Sequence, residues 1–503
     1  MLNKNKLFIS AMRVSIIFSV ATVILLALCL SVIATLKIPY LLYALYPLKI
    51  LFSLFIISSP LSERAKCSWI FFSLLIPLIS LPLYLILNCR KLSKKKLEFI
   101  KSLSDRKPKK EEFESKILLK SKYNFTFLKE IANYSSAQVY QDTDADYFAE
   151  AKDMFDFLEK DLRKARRFIF IEFYILAAGE AFGRLLDILK NKARAGVEIR
   201  IIFDGIGSLT RLPENFSSIM EEDGIKAISH PAFSFSSLTS LNNRNHRKIV
   251  IIDGETAYTG GVNIADEYIY SKTRLGRWKD SAVRLCGEGV NALTYTFLSD
   301  FAILTGNSED FSKYYKYRKR ICDGQAILFS DGPSKLYEEK SAKRIIVSML
   351  NAAEKYFVFT TPYLIYDSDI FNALKGAVMR GVKVSAVIPK KPDKYLIALL
   401  SRRYAAKLAV LGADVYLYTP GFLHSKTYLC DGKFLMLGTV NLDYRSLFHN
   451  FENGVLFAEH KVIETAKKDI SSIIADSEPY RRKRESIPLR LLCAVLEIFA
   501  PLL

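Results

Sequence analysis

Long apolar runs open the chain, and short apolar runs alternating with amphipathic stretches fill the rest. Val14 to Leu36 carries no charge and is overwhelmingly apolar. At about 1.5 Å per residue it is long enough to cross a bilayer. Ile38 to Leu61 is apolar but interrupted by Pro39, Pro47 and Lys49. Trp69 to Asn88 is uncharged, with Pro77 and Pro82 inside it. Proline is tolerated in membrane helices, so the pattern predicts two spans and, between them, a third run that crosses or re-enters. A cleaved signal peptide fits less well, because the first run exceeds an h-region and further apolar runs follow.

The flanking charges set an orientation. Arg90, Lys91, Lys94, Lys95 and Lys96 follow the third run directly, which places that end in the cytoplasm by the positive-inside rule. Lys4, Lys6 and Arg13 argue that the N-terminus is inside as well. Both hold only for an even number of crossings; three would force the N-terminus out. The downstream charge is the stronger signal.

Residues 91–140 are basic and poor in strand pattern, with a dense patch from Lys107 to Lys110. They read as a juxtamembrane linker, either plainly solvated or docked on anionic headgroups at about 1 kcal/mol per basic residue. A repeat follows. "ARRFIFIEFYI" precedes "LLDILKNKARAGVEIRIIFDG", and later "AEKYFVFTTPYLI" precedes "FNALKGAVMRGVKVSAVIP". Each reads strand, helix, Gly-Val, strand, which indicates α/β units with mixed sheets. The expected organisation is a membrane anchor at 1–90, the linker, one α/β lobe at 141–322, a second at 323–485 and a terminal helix at 486–503. That helix either packs on the core or lies in the membrane interface, the latter suited by "YRRKRE" just before it.

Composition narrows the partners. The 503 residues carry a net charge of +20, which suits an anionic partner, either nucleic acid or an acidic membrane surface. Seven scattered cysteines form no CxxC or Cys/His cluster, so neither a zinc site nor a disulfide framework is indicated.

The chemistry sits in two matching segments: Asn245-His246-Arg247-Lys248-Ile249-Val250-Ile251-Ile252-Asp253-Gly254 and Leu423-His424-Ser425-Lys426-Thr427-Tyr428-Leu429-Cys430-Asp431-Gly432. Both read His-x-Lys-x4-Asp-Gly. There are five histidines in all, and one His meets this pattern by chance roughly once in several hundred trials. An apolar run ended by Asp-Gly reads as a strand closing in a tight hairpin. Positions two apart share a strand face, so His246 and Lys248 point together, as do His424 and Lys426. Asp253 and Asp431 have the opposite parity and sit at the turns, where bracing the hairpin is their expected role. A loop follows each hairpin, Gly260-Gly261-Val262-Asn263 and Gly438-Thr439-Val440-Asn441, and each Asn lies seventeen residues after its His.

Paired HxKxxxxD motifs with trailing GGxN and GTxN resemble the phospholipase D superfamily. "NHRKIVIIDGETAYTGGVNIADEY" and "PGFLHSKTYLCDGKFLMLGTVNLDYRSLFHNFE" resemble bacterial cardiolipin synthases, over most of the chain. One departure is Asn245, where that family commonly has Asp. The resemblance implies two pseudo-twofold lobes with both His-Lys strands at their interface. It also implies a bacterial membrane enzyme with its catalytic domain in the cytoplasm, acting on phosphatidylglycerol without metal or cofactor.

One histidine would attack phosphorus and the other shuttle a proton, with His246 as attacker by analogy. Lys248 and Lys426 would neutralise the phosphate oxygens, and Asn263 and Asn441 would add neutral hydrogen bonds. Each His needs a carboxylate on its second nitrogen. Glu452 stands 28 residues after His424, the family's spacing. No acid stands at that distance from His246, and Asp280 is the substitute. The alternatives are a phospholipase D hydrolase, a transferase using another alcohol, and a nuclease of the superfamily, which the membrane runs disfavour. A non-catalytic scaffold has no use for two complete motifs.

Overall fold

The computed structural model describes residues 39–59, 61–88, 94–108, 122–135, 137–230, 243–269, 273–317, 322–333, 336–337, 339–482 and 486–502. The expected span Val14–Leu36 lies outside these, as do Arg90, Lys91, Lys109 and Lys110. The chain forms two compact units, one of residues 1–91 and 494–503 and one of residues 92–493.

Among the described residues the larger unit holds two large sheets and one two-stranded sheet. In the first lobe the strand order is Thr143–Phe148, Ala282–Gly287, Thr256–Gly260, Lys248–Ile252, Phe168–Phe173, Glu198–Asp204, Lys226–His230. In the second, Gln325–Asp331, Glu452–Ala458, Phe434–Gly438, Thr427–Cys430, Tyr356–Thr360, Lys383–Pro389 and Asp414–Tyr418 repeat that order, with Val139–Tyr140 and Ser477–Pro479 added at the edges. Each large sheet is mixed. Phe168–Phe173 runs parallel to Glu198–Asp204 and antiparallel to Lys248–Ile252, and Tyr356–Thr360 relates to its neighbours in the same way. Lys226–His230 and Asp414–Tyr418 add a third parallel strand to each repeat, which the sequence pattern did not resolve.

Period-2 alternation explains how each His-Lys strand sits. Val250 and Ile252 join one buried core with Ile169, Ile171 and Leu158. Ile249 and Ile251 face the other way, into a core shared by both sheets. That second core packs Phe170, Val283 and Leu285 with Leu435, Leu437, Val455 and Phe457. A strand buried on both faces has no polar face to show, hence its unbroken apolar run.

Two expectations are corrected. The basic stretch before the lobes is not bare linker: it contains helices Lys94–Leu103 and Lys122–Ser135. Leu103, Phe127, Leu128 and Ile131 are buried, and the Phe127 ring lies 4.3 Å from that of Phe434. Those apolar positions recur at helical spacing, which the lysines around them obscure. Val139–Tyr140, at the end of the same stretch, pairs with the second lobe's Gln325–Asp331 strand.

The run Trp69–Asn88, expected as one span, is not a single helix. Glu63–Leu75 and Pro77–Asn88 are separate helices that fold back on each other, so that the Trp69 and Tyr84 rings lie 5.1 Å apart. The bend falls at Ile76 (φ −138°, ψ 72°), where a following proline disfavours helical backbone. Among the described residues no helix is long and apolar enough to cross a membrane.

Candidate active site

Both motifs place His just ahead of the hydrogen-bonded strand, with Lys248 the first residue of its strand and Lys426 immediately preceding its own, and both put Asp just past the far end. There the Asp-Gly pairs adopt positive φ, 55° and 70° at Asp253-Gly254 and 51° and 66° at Asp431-Gly432, the geometry of a tight hairpin turn. The Asp253 carboxylate accepts from the backbone N–H groups of Arg166, Arg167 and Phe168 at 2.8–2.9 Å. Asp431 accepts from those of Glu354, Lys355 and Tyr356 at 2.7–2.9 Å. These acids staple turn to neighbouring strand, the bracing role their parity suggested.

The opposite ends of the two strands meet across the lobe interface. The His246 N–H donates to the Phe451 carbonyl at 2.9 Å, and Asn245 bridges to Phe451. Gly421–Leu423 pairs in parallel with Arg277–Lys279, and the His424 N–H donates to the Lys279 carbonyl at 2.7 Å. Each histidine thus enters beside the strand that carries the other lobe's acid, and the carboxylates are exchanged. His246 Nδ1 lies 2.8 and 3.1 Å from the Glu452 oxygens, and His424 Nδ1 lies 2.6 Å from Asp280. Family spacing had matched Glu452 with His424 and left Asp280 for His246; the structure reverses the partners.

The two acids occupy equivalent places. Gly260 is in register with Ala282, and Gly438 with Gly454, so Asp280 and Glu452 each lie two residues before the paired position. Asp280 presses on Gly261, where a Cβ would come within 2.0 Å of its carboxylate. The matching residue on the other side is Thr439, whose hydroxyl donates to Glu452. Ser446 Oγ and Asn450 Nδ2 donate to the same carboxylate at 2.7 and 3.2 Å.

The site is almost closed to water: both histidines, both lysines and both acids are buried. Burial, then Lys248 and Lys426, hold His246 well below its ordinary pKa. Burial and Lys426 push His424 down to about 4, against the pull of Asp280. Burial also lowers both lysines, Lys248 to about 7 with Lys426 as next cause, and Lys426 to about 8. Burial raises Glu452 to about 7 even though Ser446 and Thr439 donate to it. Two buried imidazoles beside two crowded lysines make a cavity in which a bound anion would relieve the crowding of positive charge.

Lys248 donates to the His246 carbonyl at 2.9 Å and lies 5.6 Å from the Tyr174 ring centroid. Lys426 Nζ lies 2.7 Å from His424 Nδ1. The asparagines do not match each other. Asn263 is engaged with the Ile175 N–H at 3.2 Å and the Tyr268 hydroxyl at 2.8 Å, while Asn441 Oδ1 is buried without a hydrogen-bond partner among the described residues. Tyr268, Tyr174, Thr439 and Ser446 are contacts the sequence did not single out. Among these only Thr439 carried a signal, as part of the loop motif. No group of His, Cys, Asp and Glu among the described residues could hold a metal ion.

This arrangement matches known proteins. The family described as "Cardiolipin synthase, PLD-like domain" matches residues 158–274 and 346–474. A cardiolipin synthase of Oceanobacillus iheyensis is 32% identical over 72% of this chain and 76% of its own length. One from Listeria monocytogenes is 31% identical over the same shares. An uncharacterized protein of Streptococcus mutans is 35% identical over 90% of this chain and 99% of its own. The crystal structure of a Haemophilus influenzae phosphatidylserine synthase superposes with a TM-score of 0.57 at 14% identity, covering 75% of this chain and 98% of that one, a likeness of fold. Two repeated lobes, crossed His–carboxylate pairs and these relatives together place the chain in the phospholipase D-like cardiolipin synthase family.

Proposed function

We propose that the protein moves a phosphatidyl group from one phosphatidylglycerol to another, giving cardiolipin and glycerol. The observation that carries this reading is the pair of buried histidines, each held by the opposite lobe's carboxylate with a lysine two residues on. A carboxylate that accepts the Nδ1–H leaves Nε2 with its lone pair free. His246, neutral, attacks the phosphorus of the first lipid through Nε2 and the bond to glycerol breaks; His424, an imidazolium once the anionic phosphate is bound, gives its Nε2 proton to the departing alkoxide. His424 then takes the proton of the second lipid's glycerol hydroxyl. That oxygen displaces His246 from phosphorus and restores both rings. Lys248 and Lys426 balance the charge on the non-bridging oxygens, a contribution of about 2.7–4 kcal/mol for one such donor.

Membrane residence follows from the substrate and from the apolar N-terminal runs, with the lobes on the cytoplasmic face by the charge that follows the third run. Purified protein in phosphatidylglycerol vesicles should release one glycerol per cardiolipin formed. Free phosphatidic acid as the main product would replace transfer with hydrolysis. Rapid quenching followed by peptide mapping should find the phosphoryl group on His246; phosphate on His424 would interchange the two roles.

A further inference from the structure

The smaller unit surrounds a small apolar cluster with buried serines and exposed leucines. Leu51, Leu54 and Phe55 of Pro39–Ile57, Leu74 and Leu75 of Glu63–Leu75, and Leu85 of Pro77–Asn88 are 45–64% exposed. Ser68, Ser73 and Ser80, on the same helices, are 0–1% exposed. In water that distribution costs free energy twice, once for apolar area left wet and once for hydroxyls withdrawn from solvent. In hydrocarbon it reverses sign, because a serine inside a helix cluster can spend its hydroxyl on backbone carbonyls. Ser68 donates to the carbonyls of Arg64 and Ile498, and Ser73 to that of Ile70.

The hairpin geometry says how this unit meets the hydrocarbon. Trp69 and Tyr84 touch at nearly equal distances along the chain from the bend at Ile76-Pro77, so the two helices lie side by side. Phe52 packs on Tyr84 at 5.4 Å and closes the cluster. Both open ends carry polar residues: Glu63, Arg64 and Lys66 begin the first helix, and Arg90 and Lys91 follow the second. The bend itself is apolar, with Leu74, Leu75, Ile76, Pro77 and Leu78 in succession. Part of its backbone is paired. Ile76 donates to the Phe72 carbonyl at 2.9 Å, Ser80 donates back to the Ile76 carbonyl at 3.0 Å, and Pro77 has no N–H to satisfy. Thirteen helical residues reach about 20 Å, short of a hydrocarbon core of about 30 Å.

We infer that residues 63–88 form a re-entrant hairpin that dips into one leaflet of the bilayer and leaves by the face it entered. This rests on the membrane residence proposed above. It contributes no crossing of its own, so the basic segment after Asn88 stays on the side from which the hairpin enters.

Native cysteines bracket the hairpin. Cys67 is exposed near the start of the first helix, and Cys89 follows the second in sequence. In sealed vesicles of each orientation, a membrane-impermeant maleimide should label both from one and the same face, read by peptide mapping. A Leu75→Cys variant should resist that reagent from both faces, and a fluorophore placed there by a permeant maleimide should be quenched by bilayer-embedded bromolipid. Labelling of Cys67 and Cys89 from opposite faces would make the segment a crossing and overturn the hairpin. So would labelling of neither, or reaction of Leu75→Cys with the impermeant reagent. Glycerol release in the same vesicles is read separately, so lost topology and lost transfer are distinguishable.

Discussion

Between His246 and Lys248 lies Arg247; between His424 and Lys426 lies Ser425. Both are fully buried, behind the site. Arg247 is held by an ion pair to Asp300, by the Tyr337 hydroxyl at 2.9 Å and by the Asp331 carbonyl at 3.2 Å. Burial would lower its pKa, but Asp300, Tyr337 and Glu172 hold it above its ordinary value. Ser425 instead joins a neutral hydroxyl network with Ser281, Thr360 and Thr427 at 2.9–3.1 Å. The surroundings differ too: Tyr174 stands beside His246 at 5.0 Å, whereas Trp278, Phe422 and Tyr268 stand around His424 at 5.8–6.1 Å. Imidazole, ammonium and carboxylate therefore repeat between the lobes, while the residues that hold them do not. Only the first set must meet one phosphorus; the second needs only to fill its space and satisfy its polar groups.

The largest test of this comparison is removal of either ring. His246→Ala and His424→Ala should each lower transfer about 10⁴-fold or more in reconstituted vesicles. A variant that keeps a tenth of the activity would mean the lobes are not both needed. Next come the exchanged acids. Glu452→Gln and Asp280→Asn should each cost about 10³-fold in kcat. By NMR of labelled histidine, Glu452→Gln should move the titration of His246, and Asp280→Asn that of His424. The reverse assignment would restore same-lobe pairing.

The backing residues should differ in stability. Arg247→Met leaves Asp300 buried and unpaired, and should cost about 3–5 kcal/mol in urea unfolding. Ser425→Ala removes neutral hydrogen bonds at about 1 kcal/mol. Equal losses would erase the contrast. Asp253→Asn and Asp431→Asn should instead match each other, at about 1–3 kcal/mol each, because each acid accepts three backbone N–H groups.

The smallest effect is in pH. Lys248, held at about 7, loses its charge first as pH rises, so kcat/KM should fall above about pH 7. Lys248→Arg stays charged and should move that fall toward the value of about 8 set by Lys426. An unmoved profile would assign the limb to another group. The stability linkage has a definite sign. A lysine depressed in the folded state gives stability present above its ordinary 10.5 and lost as pH falls through about 7.

The catalytic inventory was legible in the sequence because motif spacing is local. Two residues from His to Lys and seven from His to Asp are set by one strand and one hairpin, whatever surrounds them. The strand-helix-strand repeat was legible for the same reason. The two helices before the lobes were not, since the lysines of this basic stretch mask the few apolar positions that dock them. Nor was the hairpin at Ile76-Pro77, because an apolar run reads alike whether it continues or turns back.

Asp280 shows the limit most plainly. It lies 34 residues after His246, whereas Glu452 lies 28 after His424, because the first lobe has a longer connection ahead of an equivalent position. What the chain determined unaided is which rings, ammoniums and carboxylates the protein owns. What tertiary structure decided is their partnership. Asn245 runs beside Phe451 and Leu423 beside Lys279, pairings made between segments far apart in sequence. Each histidine therefore takes the carboxylate nearest in space across the interface, which counting along the chain does not reveal.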